Sequence, residues 1–374
     1  MTGTRLPSTD EHWMIRAAAL ARRAEGQTSP NPLVGAILSK NGVVVGKGFH
    51  ARAGEPHAEV MALNDAGPQA RGSDLYVTLE PCAHSGRTPP CADAIIAAGV
   101  RRVVAGVRDP NPLVNGRGFA ALSAAGIEVH TGVLQGVCER LIEPYARATV
   151  MGRPYVHLKL ALSADGRIAP ADGSPRWITG RPARRYAHRL RCRLDAILVG
   201  VRTVLGDDPA LDVRLRRSNL AHPRPVVLDA AARTPPSARL MGGVSRGTVP
   251  LILCGRAAPE ERVARLQEAG ARVMPVEVDC PGRLCIRAVL ETLTKEGVQS
   301  VLVEGGGRVA ASFLAAGLVD RATLLLAPVF LGSRAVPSVE GLESISLCTA
   351  PRGRVTSVRR IGEDVAVEIH MGAD

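Results

Sequence analysis

The chain has 374 residues, 46% of them hydrophobic, 22% charged and 3% aromatic, which is ordinary for folded domains and long enough for two; disorder, collagen-like repeats and coiled coils are excluded as its main theme. No apolar run approaches the ~20 residues of a membrane span, and no apolar core follows a positive segment at the N-terminus, so a cytoplasmic protein without a signal peptide is expected. The net charge is +12, but Arg outnumbers Lys 43 to 4 and the excess sits in the second half, +10 against +2 for residues 1–150; this reads first as an Arg-rich solvated surface and second as an attraction for a phosphorylated ligand.

In chain order, residues 11–25 read as a helix in which Trp13, Ile15, Ala17, Ala18 and Leu20 mix with Arg. The turn GQTSPNP ends it. LVGAILS and VVVGKGF then flank Asn41-Gly42, the dipeptide a two-residue hairpin turn prefers. HAEVMALNDAG reads as a helix behind Pro56, DLYVTLEP as a strand, and CADAIIAAG as a short helix stopped by Gly99. Strand VRRVVAGV, helix FAALSAAG and strand IEVHTGV follow. Gly and Pro in ATVMGRP (148–154) break this rhythm, which predicts domains of 1–150 and 151–374. Beyond the break, strands VHLKLALS, DAILVGV, RPVVLDA, VPLILCG, ARVMPVEV, QSVLVEGG and ATLLLAPVFLG alternate with helices RPARRYAHRLRC, ERVARLQEAG, RAVLETLTKEG and GRVAASFLAAG, and EDVAVEIHMG closes the chain. Strands alternating with helices predict an α/β layer structure in both domains.

Eight cysteines are too few for a disulfide scaffold. Cys138, Cys192, Cys254, Cys280, Cys285 and Cys348 have no neighbours that complete a site and read as core residues or free thiols. Cys82 and Cys91 differ. With His57 they offer one nitrogen and two thiolates, leaving the fourth position of a hydrolytic zinc open for water. Glu59, two residues after His57 and in the first turn of the same helix, can shuttle protons without ligating the metal. The order His-x-Glu, then Pro-Cys and a second Cys, is that of zinc deaminases. Eight residues separate the two cysteines, leaving a polar loop with His84, Ser85, Arg87 and Thr88 beside the metal to read a ring or a phosphate. In the second domain VLVEGGGRVAASF is a strand, a glycine turn and a helix start, which suits either a phosphate site or a tight turn. Asp207-Asp208, between Gly206 and Pro209, is equally a carboxylate pair or a solvated turn.

PNPLVGAIL (30–38), HAEV (57–60), EPCAHSGRTPPC (80–91), KLALSADGRIA (159–169), RWITG (176–180), VRTVLGDDPALDVR (201–214) and VEGGG (303–307) together resemble, in order and over nearly the whole chain, the bifunctional riboflavin-biosynthesis deaminase/reductase family. The resemblance implies a three-layer zinc cytidine-deaminase-like domain followed by a dihydrofolate-reductase-like α/β domain. It implies one Zn²⁺ on His57, Cys82 and Cys91 with Glu59 as catalytic proton shuttle, and Asn31 and His50 lining the pyrimidine and ribose site. It implies NADPH held by Ala161, Trp177, Thr203, Asp207, Gly306 and Gly307, with substrate at Arg191, Leu211, Arg214 and Glu304. Two Arg near one site suit a sugar phosphate. The implied reactions are deamination of a diamino-ribosylamino-pyrimidinone phosphate, then reduction of its ribosyl group to ribityl. Small phosphorylated pyrimidines are the expected partners, with no nucleic acid or membrane, and a homo-oligomer through the reductase domain. Three positions depart from the pattern. Pro175 replaces a Ser that contacts substrate, Val329 stands where Lys is common, and Ile142-x-x-Tyr145 replaces Asn-x-x-Phe, a change expected to alter interdomain packing. A second domain that only binds or assembles is one competing reading, supported by Pro175 alone, and an RNA base deaminase is the other. The eight-residue cysteine loop and the scarcity of aromatics for base stacking argue against it.

Overall fold

In the computed structural model, which describes residues 9–83, 89–172, 177–215, 222–280, 282–343 and 346–371, the alternating apolar segments build two large sheets, one in each of two compact units, Met1–Gly152 and Arg153–Asp374.

The first unit runs α1 (Thr9–Ala21), β1 (Gly35–Lys40), β2 (Val43–Phe49), α2 (Ala58–Ala66), β3 (Asp74–Leu79), α3 (Cys91–Ala98), β4 (Arg102–Val107), α4 (Arg117–Ala124), β5 (Glu128–Thr131) and α5 (Gln135–Met151). Its sheet has the order β2-β1-β3-β4-β5. β1 is antiparallel to β2 and β3, and β3, β4 and β5 are parallel. Asn41 and Gly42 both have positive φ, 52° and 76°, which matches the twist of the β1–β2 hairpin. The two-residue side-chain period sends Ile37, Tyr76 and Val104 to one face, against Trp13, Met14 and Ala17 of α1. Ala36, Leu38, Leu75, Val77, Val103 and Ala105 go to the other, against Ala62 of α2, Ile95 of α3 and Leu122 of α4. The result is three layers. α2 rides directly on β2, because a Cβ at Gly48 would lie 2.3 Å from the Ala58 carbonyl. That close approach sets the start of α2. Few residues of α5 are buried (Cys138, Leu141, Ile142), and it carries Pro144 inside, so its sequence gives no strong helical signal.

The second unit runs β6 (Tyr155–Ser163), β7 (Arg167–Ala169), α6 (Arg181–Arg191), β8 (Ala196–Gly200), α7 (Val201–Asp207), β9 (Arg224–Leu228), β10 (Leu251–Gly255), α8 (Glu260–Glu268), β11 (Arg272–Val276), β12 (Val278–Cys280), β13 (Arg283–Leu284), α9 (Ile286–Lys295), β14 (Ser300–Val303), α10 (Gly307–Ala315), β15 (Arg321–Ala327), β16 (Val336–Pro337), β17 (Arg354–Ile361) and β18 (Asp364–His370). The main sheet is β11-β10-β9-β8-β14-β6-β15-β18-β17. It is parallel from β11 to β15 and antiparallel at β15–β18–β17. Leu198 of β8 packs into the cluster under α9 and α10, while Ile197 and Val199 pack with Leu240 and Leu266 on the opposite face. The short strands β7, β12, β13 and β16 have no counterpart in the expected elements, and two longer elements also differ. Val201 begins α7 instead of ending a strand. The edge strand β17 exposes Val355 and Val358, and so lacks the alternation that marks a half-buried strand.

Candidate active sites

Three elements bring the first cluster together. His57 is the N-cap residue of α2 in extended conformation, and its side chain makes no cap bond. Cys91 is the first residue of α3, and Cys82 lies just past β3. His57 Nδ1 is 3.2 Å from Cys91 Sγ and 3.6 Å from Cys82 Sγ, and the three donor atoms lie within 4.8 Å of one another. Tetrahedral ligands ~2.0–2.3 Å from one zinc ion are spaced about that far apart, and a nitrogen with two thiolates is a zinc donor set. The residues therefore fit the metal. The Cys91 N–H also donates to Cys82 Sγ at 3.4 Å. The hydrogen bond from the Cys91 thiol, aided by His57 and opposed by burial, brings Cys82 down to about 4, while Cys91 is pushed up by the same bond and by burial. Glu59 is 3% exposed, and burial pushes its carboxyl up to about 7; a cation beside it favours the charged form again.

His57, Glu59 and Cys82 open on a cleft of about 190 Å³, lined also by Asn31, Pro32, His50, Glu80, Asp109, Asn111 and Tyr145. His50 Nδ1 is 3.2 Å from the Pro56 carbonyl, an acceptor, so that nitrogen carries the proton. Its Nε2 then accepts from Asn31 Nδ2 at 3.0 Å. Burial, the largest cause, lowers the His50 pKa and keeps the ring neutral. The buried Glu80 carboxylate receives the N–H groups of Asp109 and Gly116 on Oε2 (3.2 and 2.9 Å) and of Gly118 and Phe119 on Oε1 (3.0 and 3.4 Å). It thereby caps α4 and ties the 109–119 segment to the metal-bearing loop. Glu80, Asp109, Asn111 and Tyr145 carry no individual signal in the sequence beyond the EPC tripeptide and a run of turn residues, DPNPLVNG. Ile142 is buried in the first unit's core, and Tyr145 turns its hydroxyl to the cleft. His84, Ser85, Arg87, Thr88 and Pro175 lie outside the described residues.

In the second unit six of the ten expected residues lie near the carboxyl ends of three adjacent parallel strands, where open α/β sheets bind ligands. Ala161 is near the end of β6, Thr203 and Asp207 are on α7 directly after β8, and Glu304, Gly306 and Gly307 follow β14. Trp177 stands before α6, 75% exposed, with the Arg184 guanidinium 5.0 Å from its ring centre. A Cβ added at Gly306 would meet only Thr203 Oγ1, at 4.0 Å, so there is open room at the N-terminus of α10. That room, with the free N–H groups of a first helical turn beside it, fits a dinucleotide phosphate. Gly307 is glycine for another reason, since its Cβ would lie 2.5 Å from the Pro337 carbonyl. The acidic pair resolves as a helix end: Asp208 has φ 39° and accepts the Arg239 N–H at 2.8 Å.

Glu304 is gripped by Arg191 through two bonds of 2.9 Å, with Lys159 Nζ at 3.5 Å. These cations outweigh burial and lower Glu304 to about 2. Arg191 also donates to the Asp212 carbonyl at 3.0 Å, so its fork is committed to protein partners. Arg214, with its side chain half exposed and bonded to Asp212, is the more open cation of the two. Leu211, at φ 49°, buries its side chain in the apolar core and can offer a ligand only its backbone. Lys159 carries no signal of its own, because nothing in KLALSADG marks it apart from the strand.

Residues 7–107 match the cytidine and deoxycytidylate deaminase zinc-binding region, and residues 154–367 match the RibD C-terminal domain. The riboflavin biosynthesis protein RibD of Escherichia coli is 41% identical over 96% of this chain and 99% of its own length. The solved structure of Acinetobacter baumannii RibD is 36% identical, with a TM-score of 0.86 over 98% of this chain and 99% of that one. A diaminohydroxyphosphoribosylaminopyrimidine deaminase/5-amino-6-(5-phosphoribosylamino)uracil reductase of Thermotoga maritima is 33% identical, with a TM-score of 0.85 over 97% of this chain and 99% of that one. Zinc in the deaminase half and NADPH in the reductase half are the cofactors of such chains. With near-complete coverage by these relatives and both domain models matched, the chain belongs to the RibD family, the bifunctional deaminase and reductase of riboflavin biosynthesis.

Proposed function

We propose that residues 1–150 deaminate 2,5-diamino-6-(5-phosphoribosylamino)pyrimidin-4-one and that residues 151–374 reduce the product's ribosyl group, giving 5-amino-6-(5-phosphoribitylamino)uracil. The observation that carries this reading is the His57, Cys82 and Cys91 cluster with the buried Glu59 beside it. Zinc on that cluster supplies Lewis acidity that makes water nucleophilic near neutral pH. Glu59 takes a proton from the attacking water and returns one to the departing amino group, so that C–NH₂ and water become C=O and ammonia. Asn31 and the neutral His50 orient the pyrimidine and its ribose.

In the second unit NADPH supplies the hydride for the ribosyl C1′ carbon. Thr203, Asp207, Ala161 and Trp177 bind the cofactor, and Gly306 with the first turn of α10 receives its phosphates. Arg214 takes the substrate phosphate, Leu211 offers its backbone, and Arg191 holds Glu304 toward the sugar.

Mass spectrometry of the diamino substrate incubated with the full chain tests both halves. Exchange of one amino group for oxygen without NADPH, and a gain of two hydrogens only with it, is expected. A gain of hydrogens with no exchange would refute the order of steps. Gly306→Val fills the open room at α10 and is expected to raise the KM for NADPH by ~10-fold or more, in line with losing phosphate contacts at a helix start. An unchanged KM would remove Gly306 from the cofactor site.

The chain acts as a cytoplasmic homo-oligomer joined through the reductase unit, with no nucleic-acid or membrane partner. Support for the assembly comes from the edge strand β17, whose Val355 and Val358 are 55% and 62% exposed. Sedimentation equilibrium at micromolar concentration reads the assembly directly; a monomer would end that part of the proposal.

A further inference from the structure

α5 closes the first unit, and one of its side chains does more than pack. The Tyr145 hydroxyl donates to Asp109 Oδ1 at 3.1 Å and lies 3.4 Å from Oδ2. Asn111 and Thr149 flank the same hydroxyl. Asp109 is 6% exposed and lines the cleft with Asn31, His50 and Glu59. Its Oδ1 also accepts the Asn111 N–H at 2.9 Å, and its own N–H is held by Glu80 at 3.2 Å. Among the described residues, two donors therefore occupy Oδ1, while Oδ2 has the longer contact alone and keeps acceptor capacity. Burial raises the Asp109 carboxyl above its usual range, and the Asn111 N–H and the Tyr145 hydroxyl oppose this by donating to its charged form. Burial in turn holds the Tyr145 phenol well above its usual range, so it remains a donor at working pH.

We propose that Tyr145 is a positioning residue of the deaminase: its hydroxyl turns the Asp109 carboxylate so that Oδ2 receives an N–H donor of the aminopyrimidine. This deepens the reading of the cleft as the deamination site and rests on it. An aminopyrimidinone presents N–H groups on its ring and exocyclic nitrogen, and an ionised carboxylate is the acceptor that complements them. The contact is made in the bound substrate as well as later in the reaction, so losing its orientation weakens binding more than turnover.

The test is deamination kinetics of the zinc-loaded full chain with Tyr145→Phe, which keeps the ring and removes only the hydroxyl. KM for the diamino substrate is expected to rise ~5–10-fold with kcat within about twofold, the size of one hydrogen bond to a charged group. In the Asp109→Asn background the same substitution is expected to change KM by less than about twofold, because the coupling is between these two groups. A purely structural role would instead give the same factor in both backgrounds. An unchanged KM in Tyr145→Phe, or equal factors in the two backgrounds, overturns the proposal. Glu59→Gln run alongside keeps the two readings apart. If it retains full deamination, the cleft is not the site and this proposal falls with that reading. If it is inactive while Tyr145→Phe is unchanged, only the positioning role is lost.

Discussion

Glu59→Gln is expected to lower the deamination kcat by ~10³-fold or more, within the range that a positioned acid–base group contributes, while reduction of supplied deaminated intermediate stays at the wild-type rate. Gln keeps the shape and the hydrogen-bonding reach of the side chain but cannot carry a proton. Glu59 is buried at the start of α2, two residues from a metal-ligating candidate, and its carboxyl lies high because of that burial. It lines the cleft with His57 and Cys82, so its carboxylate is placed to move a proton there. Zinc content should stay at one per chain, because His57, Cys82 and Cys91 are untouched. The two activities, read on the same preparation, separate loss of chemistry from loss of fold. Deamination surviving at the wild-type rate would place the proton shuttle, and with it the deamination site, outside this cleft.

Glu80→Gln is expected to destabilise the first unit by about 2–4 kcal/mol, since an amide that replaces the carboxylate must turn its NH₂ toward two backbone N–H donors in either orientation. Gly118 and Phe119 donate to one oxygen, Asp109 and Gly116 to the other, and the side chain is 3% exposed, so water cannot substitute. For a unit of this size the loss corresponds to a fall of roughly 5–12 °C in its midpoint. Thermal inactivation, followed separately for deamination and reduction, reads it: the deamination midpoint moves down and the reduction midpoint does not. Equal midpoints for variant and wild type would show that the four bonds are replaceable.

The residues legible in the amino-acid sequence are those whose chemistry is rare and whose spacing is local. His57 with Glu59, and Cys82 with Cys91, announce themselves because a thiolate pair and an imidazole have few other reasons to follow one another across helix starts. The Asn41-Gly42 hairpin and the parallel strands are legible for a similar reason, since turn chemistry and apolar runs are written within a few residues. α5 and β17 are not. Each buries a narrow face or none, so its pattern depends on a neighbour distant in the chain.

The sequence by itself therefore determined the two α/β units, the donor set for the metal and the glycine turn after β14, all of which rest on local residue chemistry. Tertiary structure decided the rest. It made Glu80 a cap for a helix some 36 residues away, and it brought Asp109 and Tyr145, also 36 residues apart, into one hydrogen bond. It committed the Arg191 fork to Glu304 across 113 residues, leaving Arg214 as the more open cation. It also showed that Gly306 leaves room for a ligand while Gly307 beside it makes room for the chain. The physical reason is common to all of these. A carboxylate, a guanidinium or a missing Cβ acquires its role from the partner that burial forces upon it, and that partner is chosen by the packing of strands and helices rather than by its neighbours in sequence.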